Sequence, residues 1–172
     1  MNAGTLGEAA AVRTVSPHPD SLWMSLMERG NDAFQAGDLS DALAAYLDGV
    51  LEAERLLRLA VCGIADERSH PAAALVVAVE NAANVYARRQ QFAKARDVLE
   101  HATELLKSAV TDRTAPPDVR TTCLKHMNRA CVYLMGRMRQ NGENEDEIAR
   151  KISPVRQAAE DCLADVETTR IS

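Results

Sequence analysis

Aromatic residues are scarce in this chain, with one Trp, three Tyr and two Phe among 172 residues. Strands draw heavily on aromatic and β-branched residues, so this scarcity disfavours a protein built on sheets. Glycine and proline are also few, at 8 and 6, and the composition is 47% hydrophobic and 26% charged. Such a balance is typical of a globular chain and not of a disordered or fibrous one. Ala, Leu, Glu and Arg recur throughout and are good helix formers, so we expect an all-α protein.

Long hydrophobic runs and an excess of positive charge are missing too. The most apolar stretch, Pro71 to Val79, is followed at once by Glu80 and Asn81, well short of the ~18 consecutive apolar residues that a membrane span needs. The formal net charge is -5, so the chain has no general attraction to phosphate backbones. We therefore expect neither a membrane nor a nucleic acid as the partner.

Cysteines are few and are spread along the chain. They are Cys62, Cys123, Cys131 and Cys162. All four fall in helical-looking stretches, and no hydrophobic signal core lies near the N-terminus. This pattern favours free thiols in a reducing compartment, and hence a cytoplasmic location.

The length suits a single domain with its own core. Residues 1–20 mix Gly, Ala, Thr and Ser and end in Ser16-Pro17-His18-Pro19, where the prolines bias their predecessors away from helix. A short terminal segment without periodic apolar residues rarely orders itself. We expect a disordered tail at 1–20 and one helical domain at 21–170.

Apolar residues at spacings of three and four predict a series of helices from Ser21 onward. Five are expected. The first has Ser21 as its N-cap and runs to Phe34, and the second is capped by Asp38 or Ser40 and runs to about Leu59. The other three run from Pro71 to Gln90, from Phe92 to a point before Ala115, and from about Asp118 to Asn141. The sixth element is less regular. Asn144 to Lys151 fits a short acidic helix, and Ser153-Pro154 fits the start of a separate capping helix. The short turns predict antiparallel hairpins.

The hairpins also repeat in sequence. The first copy comprises Gly30-Asn31-Asp32-Ala33-Phe34, Gly37-Asp38-Leu39, Ala42 and Tyr46. The second comprises Asn81-Ala82-Ala83-Asn84-Val85-Tyr86, Phe92, Ala95, Leu99 and Ala102, with Gln90 in place of the turn glycine. Asn128 to Tyr133 repeats Asn81 to Tyr86 at an offset of 47 residues (133 − 86). Small residues in these places let helix backbones approach closely while large neighbours fill the remaining space.

This pattern resembles the tetratricopeptide repeat, with two clear copies, a degenerate third and a C-terminal capping helix. The resemblance implies stacked antiparallel helical hairpins in an α-solenoid. The equivalent alanines Ala42 and Ala95 lie 53 residues apart (95 − 42), against the ~34 typical of the family. Helices two and three must therefore be extended, or the loop between them must be long. The plan looks like that of small single-domain bacterial members of uncharacterised role. In size it is also similar to three-repeat secretion chaperones.

The resemblance further implies where a ligand binds. Tetratricopeptide proteins hold peptides in a concave groove lined by the first helix of each hairpin, which here means helices one, three and five. Carrying the motif over gives these candidates for a peptide-binding groove: Met27, Asn31, Phe34, Gln35, Glu80, Asn81, Asn84, Ala87, Arg88, Met127, Asn128, Cys131 and Met135. The implied partner is another protein or peptide.

Four of the candidates are asparagines, Asn31, Asn81, Asn84 and Asn128. Each offers donors and an acceptor, which suits the backbone of an extended peptide. The alternative is a hydrogen bond between helices or plain exposure to solvent. Carboxylate-clamp members of the family place lysines beside such asparagines. In this chain Met27 and Leu124 occupy two of those places, so we do not expect a clamp for a C-terminal carboxylate. The methionines either form an adaptable binding surface or fill the core.

Catalytic and metal-binding patterns were also sought. Cys123, His126 and Cys131 point to about 0°, 300° and 80° around one helix, with ~12 Å of rise between the cysteines, so a single helix cannot bring them to one ion. No nucleophile has a partner at a suggestive spacing, and no glycine-rich phosphate loop is present. We expect no cofactor, no metal and no enzymatic activity.

The leading functional hypothesis is an adaptor or chaperone-like module that grips a peptide or helix of a partner protein. Two alternatives stay open at this point. One is a homo-oligomeric structural or assembly protein, such as a homodimer, whose exposed solenoid ends pair. The other is a chaperone of the secretion type with three repeats.

Overall fold

The computed structural model describes residues 18–171, with side chains as far as residue 165. Its six helices are α1 (Ser21–Gln35), α2 (Leu39–Val61), α3 (Pro71–Arg88), α4 (Phe92–Thr111), α5 (Pro117–Gln140) and α6 (Glu145–Ile171). No strand occurs within this range. Each helix from α1 to α5 packs against the next along the chain, and α6 rests on both α4 and α5. The expected all-α fold of stacked antiparallel hairpins is confirmed.

Burial explains why α3 is central. Its apolar positions include Leu75, Val76, Val79 and Val85, none of which exposes any measurable surface. The core continues from α3 into every other helix. With α2 on one flank and α4 on the other, α3 is the helix around which the hairpins stack.

The turns within the first two hairpins use different residues for the same backbone conformation. Gly37 has φ +82°, and the Asp38 side chain then accepts hydrogen bonds from two amides at the start of α2. In the second hairpin Gln90 takes φ 58°, a left-handed conformation that a non-glycine residue rarely adopts. The amide of Gln91 donates to the carbonyl of Tyr86 at 2.9 Å, which closes the end of α3. Gln90 thus occupies the place of the turn glycine, as the repeat indicated.

Both proposed explanations for the long repeat spacing are correct. Helix α2 has 23 residues, and residues 62–70 form a long connection to α3. This connection is tied to the start of α1 by Asp20, which is buried and occupies the N-cap position. Its carboxylate accepts hydrogen bonds from the Ser69 hydroxyl and from the His70 amide, the latter at 3.1 Å.

Asp20 therefore corrects the predicted boundary of the tail. We expected Ser21 to cap α1 and residue 20 to belong to a disordered segment, whereas Asp20 is a buried anchor and Ser21 is the first helical residue. Residues 1–17 of the predicted tail lie outside the described residues.

The sixth helix is a second correction. We expected two segments separated at Ser153-Pro154, but α6 runs unbroken with Pro154 inside it. An internal proline removes one helical hydrogen bond and costs about 3 kcal/mol. A continuous buried stripe crosses that point, formed by Ile148, Ile152, Val155, Ala158 and Cys162. Pro154 is on the exposed side, so burial of the stripe offsets its cost.

Polar contacts secure both ends of α6. At its start the side chains of Asn144 and Glu147 each accept a hydrogen bond from the other's backbone amide, at 2.9 and 3.0 Å, which is a reciprocal capping box. Near its end Asp165 contacts Arg113 at 3.0 Å and Arg120 at 3.1 Å. Within residues 18–171, no helix combines the length and the apolarity that crossing a membrane demands.

Candidate functional site

One side of α3 is left uncovered by its neighbours. Apart from Tyr86, the half-buried or exposed residues along its length recur every three or four positions: Ala73, Val77, Glu80, Asn81, Asn84, Ala87 and Arg88. This spacing is that of one face of a helix. Because α2 and α4 cover the remaining sides, the uncovered stripe faces outward between α1 and α5.

Contacts from α1 define one border of the stripe. The Arg88 guanidinium lies over the Phe34 ring at 4.3 Å from its centroid, a cation–π arrangement. Nearer the middle of the helices, Asn81 Nδ2 lies 3.9 Å from Met27 Sδ. Side chains of α1 thus reach those of α3 at the surface.

Contacts from α5 define the other border. The Arg129 guanidinium meets the Glu80 carboxylate at 3.2 Å and also lies 5.6 Å from the centroid of the Tyr133 ring. One turn beyond Glu80 on α3, Asn84 Oδ1 accepts a hydrogen bond from Arg137 of α5. Hydrogen bonds to Tyr133 and Glu80 raise the pKa of Arg129, so it is charged at any physiological pH.

We call this surface the α1–α3–α5 face. It comprises Asn31, Phe34 and Gln35 of α1, Glu80, Asn81, Asn84, Ala87 and Arg88 of α3, and Arg129, Tyr133 and Arg137 of α5. The predicted residues from α1 and α3 thus come together, with one exception described below. Of the other predicted residues on α5, Asn128 is exposed and Met135 packs partly buried against the core.

Three predicted groove residues lie in the core instead. Met27 is 6% exposed, Met127 is fully buried and Cys131 is 7% exposed. None of them can contact a ligand on the surface without a rearrangement of the core. For Met27 and Met127 the alternative of core packing is therefore correct.

The misplacement of Cys131 has a simple geometric origin. We aligned α5 to α3 at an offset of 47 residues, but the buried positions of the two helices match at 48, which pairs Val79 with Met127 and Ala83 with Cys131. A shift of one residue rotates the assignment by about 100° around the helix. That rotation moves Cys131 from the predicted groove into the core.

The residues that form the α5 border of the face were not predicted from the sequence. Arg129, Tyr133 and Arg137 form the α5 border and follow one another at a spacing of four. That spacing was visible in the sequence as a polar and aromatic row along one helix face. Only the contacts of Arg129 with Glu80 and of Arg137 with Asn84 show that this row adjoins α3.

The asparagines divide between structural and accessible roles. Asn31 Oδ1 accepts a hydrogen bond from the Tyr46 hydroxyl at 2.8 Å, which joins α1 to α2. Asn84 is exposed and binds Arg137, and Asn128 is exposed. Three of the four retain amide groups near the surface, while Asn81 is half-buried beside Met27.

The cysteines are free thiols and differ in exposure. Cys62 is exposed, whereas the other three are buried. Burial, reinforced by Cys162, raises the pKa of the Cys123 thiol to about 12, and burial, reinforced by Glu104, raises that of Cys131 to about 11. Both are protonated at neutral pH and therefore poor nucleophiles. In the part of the chain that the structure describes, no cluster of His, Cys, Asp and Glu has the arrangement for a metal ion.

Two cavities lie away from the α1–α3–α5 face. One of about 380 Å³ lies where the connection after α2 meets the starts of α3 and α5, and Asp66, His70 and Asp118 contribute to its lining. Another of about 270 Å³ lies between α2 and α4 beside Cys62. Neither includes a residue of the α1–α3–α5 face, so a ligand on that face would be held by surface contacts and not in either cavity.

The chain is thus an all-α protein of stacked antiparallel hairpins with one uncovered, arginine-rich face. It belongs to a family described as protein of unknown function (DUF2753), whose model matches residues 21–170. No curated protein and no solved structure matches the chain.

Proposed function

We propose that this protein binds a peptide or helix of a partner protein along the α1–α3–α5 face, as an adaptor or a chaperone-like module and not as an enzyme. The observation that carries the proposal is the uncovered stripe of α3. This central helix buries most of its other positions and keeps the amide of Asn84 and the guanidinium of Arg88 exposed along the stripe.

The chemistry of the face suits a polypeptide ligand. Asn84 offers an amide, Phe34 and Tyr133 offer ring surface, and Arg88 and Arg137 offer guanidinium donors. Aromatic and arginine side chains are the residues that most often dominate the energy of protein interfaces. A bound helix or extended segment would contact all three helices at once.

The proposal fits membership of the tetratricopeptide class, which we also propose for this chain. Support comes from the close approach of Gly30 to Tyr46 and from the left-handed turns at Gly37 and Gln90. Members of that class use the side formed by the first helices of each hairpin, which corresponds to α1, α3 and α5. Free thiols at Cys62 and the buried cysteines favour action in a reducing compartment such as the cytoplasm.

Affinity capture with paired variants tests the proposal. The full chain and its Asn84→Ala/Arg88→Ala variant are compared for proteins captured from the native cell. The control is Arg58→Ala/Ser108→Ala, which removes one arginine and one neutral polar side chain from exposed positions on α2 and α4. We expect the first variant to lose its specific partner while the control retains it, with both keeping the wild-type circular dichroism. Equal capture by the two folded variants would contradict the proposal.

A second candidate function is self-assembly. The first hairpin exposes 55% of Leu22 and 63% of Leu51, and with Leu26 they line one depression between α1 and α2. Exposed leucines that lie together mark an association surface more often than isolated ones do. Light scattering of the wild type and of Leu51→Lys tests this candidate. A dimer that dissociates in the variant would favour it, and a monomeric wild type would exclude it.

A further inference from the structure

Two arginines of the α1–α3–α5 face lack a counter-charge. Nine arginines in the described part of the chain contact a carboxylate: Arg29, Arg55, Arg58, Arg68, Arg96, Arg113, Arg120, Arg129 and Arg139. Arg88 and Arg137 contact none among the residues that the structure describes. Arg89, Arg150 and Arg156 are exposed outside the face and likewise contact no carboxylate among the described residues. What distinguishes Arg88 and Arg137 is that both lie on one face and are held there by other groups.

Neutral groups hold both side chains in place. The Arg88 guanidinium stacks on the Phe34 ring at 4.3 Å. Arg137 donates to Asn84 Oδ1 and to Gln140 Oε1, the latter at 2.9 Å. These contacts fix the position of each charge without neutralising it. A fixed guanidinium loses less conformational entropy when a ligand binds than a mobile one does.

The two charges lie along the same stripe. Asn84, which binds Arg137, and Arg88 are four residues apart on α3, so they are separated by one turn, or about 6 Å of rise. The single carboxylate of the face, Glu80, is already paired with Arg129. Residues 84–88 and the adjoining end of α5 therefore present positive charge that no residue of the face offsets.

Guanidinium groups bind carboxylates through paired, charge-assisted hydrogen bonds. We infer that the segment held on the α1–α3–α5 face is acidic, and that two of its Asp or Glu side chains bind Arg88 and Arg137. This inference rests on the proposed function and adds the chemistry of the partner. A different role is available to both arginines, because each lies in the last turn of its helix, where a cation interacts favourably with the helix dipole.

A peptide selection separates these possibilities. Random 12-residue peptides displayed on phage are selected on the full wild-type chain, and enriched peptides are synthesised for fluorescence anisotropy. Each peptide is measured against Arg88→Gln, Arg137→Gln and a control, Arg156→Gln, which removes an exposed arginine from α6. Two steric blocks that keep both arginines, Ala87→Phe and Gln35→Trp, report whether a peptide binds this face at all.

We expect the selected peptides to be enriched in Asp and Glu. Their affinity should fall about tenfold or more in Arg88→Gln and in Arg137→Gln, and it should also fall in added salt. Their affinity for Arg156→Gln should equal that for the wild type. The charge reversal Arg137→Glu should shift the selection toward Lys and Arg. Circular dichroism verifies that each variant is folded.

Two other results would overturn the inference in different ways. Peptides that the steric blocks exclude, but that are not acidic and ignore the arginine substitutions, would assign Arg88 and Arg137 to the helix ends and leave the proposed function standing. If no selected peptide responds to the steric blocks, the proposed function fails together with the inference.

Discussion

The ring of Tyr46 occupies the space that a side chain on Gly30 would need. A Cβ atom built on Gly30 would lie 2.5 Å from Cε1 of Tyr46, closer than real Cβ contacts come. Tyr46 is 3% exposed, and its hydroxyl is bonded to Asn31 one residue further along α1. The ring therefore has little room to move, and the approach of α1 to α2 depends on a missing side chain.

Gly30→Ala should destabilise the protein for this reason. Overpacking costs about 1–3 kcal/mol, which the better helix propensity of alanine offsets by up to about 1 kcal/mol. We expect a net loss of about 1–2 kcal/mol in the free energy of unfolding, measured with urea. Gly49→Ala is the matched control, because its Cβ would meet the flexible Cε end of Met27, and it should lose less. A Gly30→Ala protein as stable as Gly49→Ala would contradict the close packing.

Asp20→Ala should also weaken the fold. The substitution leaves the Ser69 hydroxyl and the His70 amide without their acceptor, and each unmet bond of this kind costs about 1–3 kcal/mol. We expect a loss of at least about 1 kcal/mol and faster hydrogen exchange at the start of α3. Asp32→Ala, at an exposed position in α1, should change the unfolding free energy by less than about 0.5 kcal/mol. Equal stability of the two variants would refute the anchoring role of Asp20.

Acid should weaken the connection between α2 and α3. The hydrogen bond from the Arg68 side chain, aided by the Arg68 amide, lowers the pKa of Asp66 to about 2. A carboxyl whose pKa is lower in the folded state stabilises that state above the unfolded pKa, and this contribution is lost as pH falls from about 4 to 2. NMR titration of the Asp66 carboxyl should give the low value in the wild type and a higher one in Arg68→Gln. Identical titration in both proteins would contradict the ion pair.

Asp165→Asn should loosen the end of α6. The wild-type carboxylate contacts Arg113 and Arg120, and the Arg120 side chain is only 12% exposed. Removing the charge leaves a largely buried guanidinium with a weaker partner, a change that costs on the order of 1–3 kcal/mol. Hydrogen exchange should accelerate in α6 more than in α2 or α3. The control is Asp161→Asn, because Asp161 accepts a hydrogen bond from Gln157 of the same helix. Similar hydrogen exchange in both variants would contradict a stabilising role of the Asp165 ion pairs.

The fold was largely predictable because its signals are local. Apolar spacing and turn residues placed the first five helices, and Pro71 and Phe92 begin α3 and α4 as expected. The break expected at Pro154 did not occur, because proline chemistry is a local signal whereas the stripe from Ile148 to Cys162 is stabilised by distant helices. Asp20 was missed for the same reason, since its partners are about 50 residues away.

The candidate site was only partly predictable. The repeat pattern predicted the site residues of α1 and α3, and all of them except Met27 lie on the α1–α3–α5 face. On α5 a one-residue error in alignment exchanged core and surface, which put Cys131 on the list in place of its exposed neighbour Val132. Arg137 was missed for another reason, since its contact with Asn84 lies 53 residues away in the sequence. The rotation of α5 about its own axis is set by its packing against α4 and α6, and a local sequence pattern does not indicate that packing.

Site-specific photo-crosslinking in the native cell tests the central claim most directly. A photoreactive amino acid is placed at Gln35 of the α1–α3–α5 face, at Asn128 beside it, or at Ser108 on α4, all of which are exposed. The account predicts one crosslinked partner protein from the first two positions and none from Ser108. Crosslinks from Ser108 alone, or equally from all three positions, would contradict it.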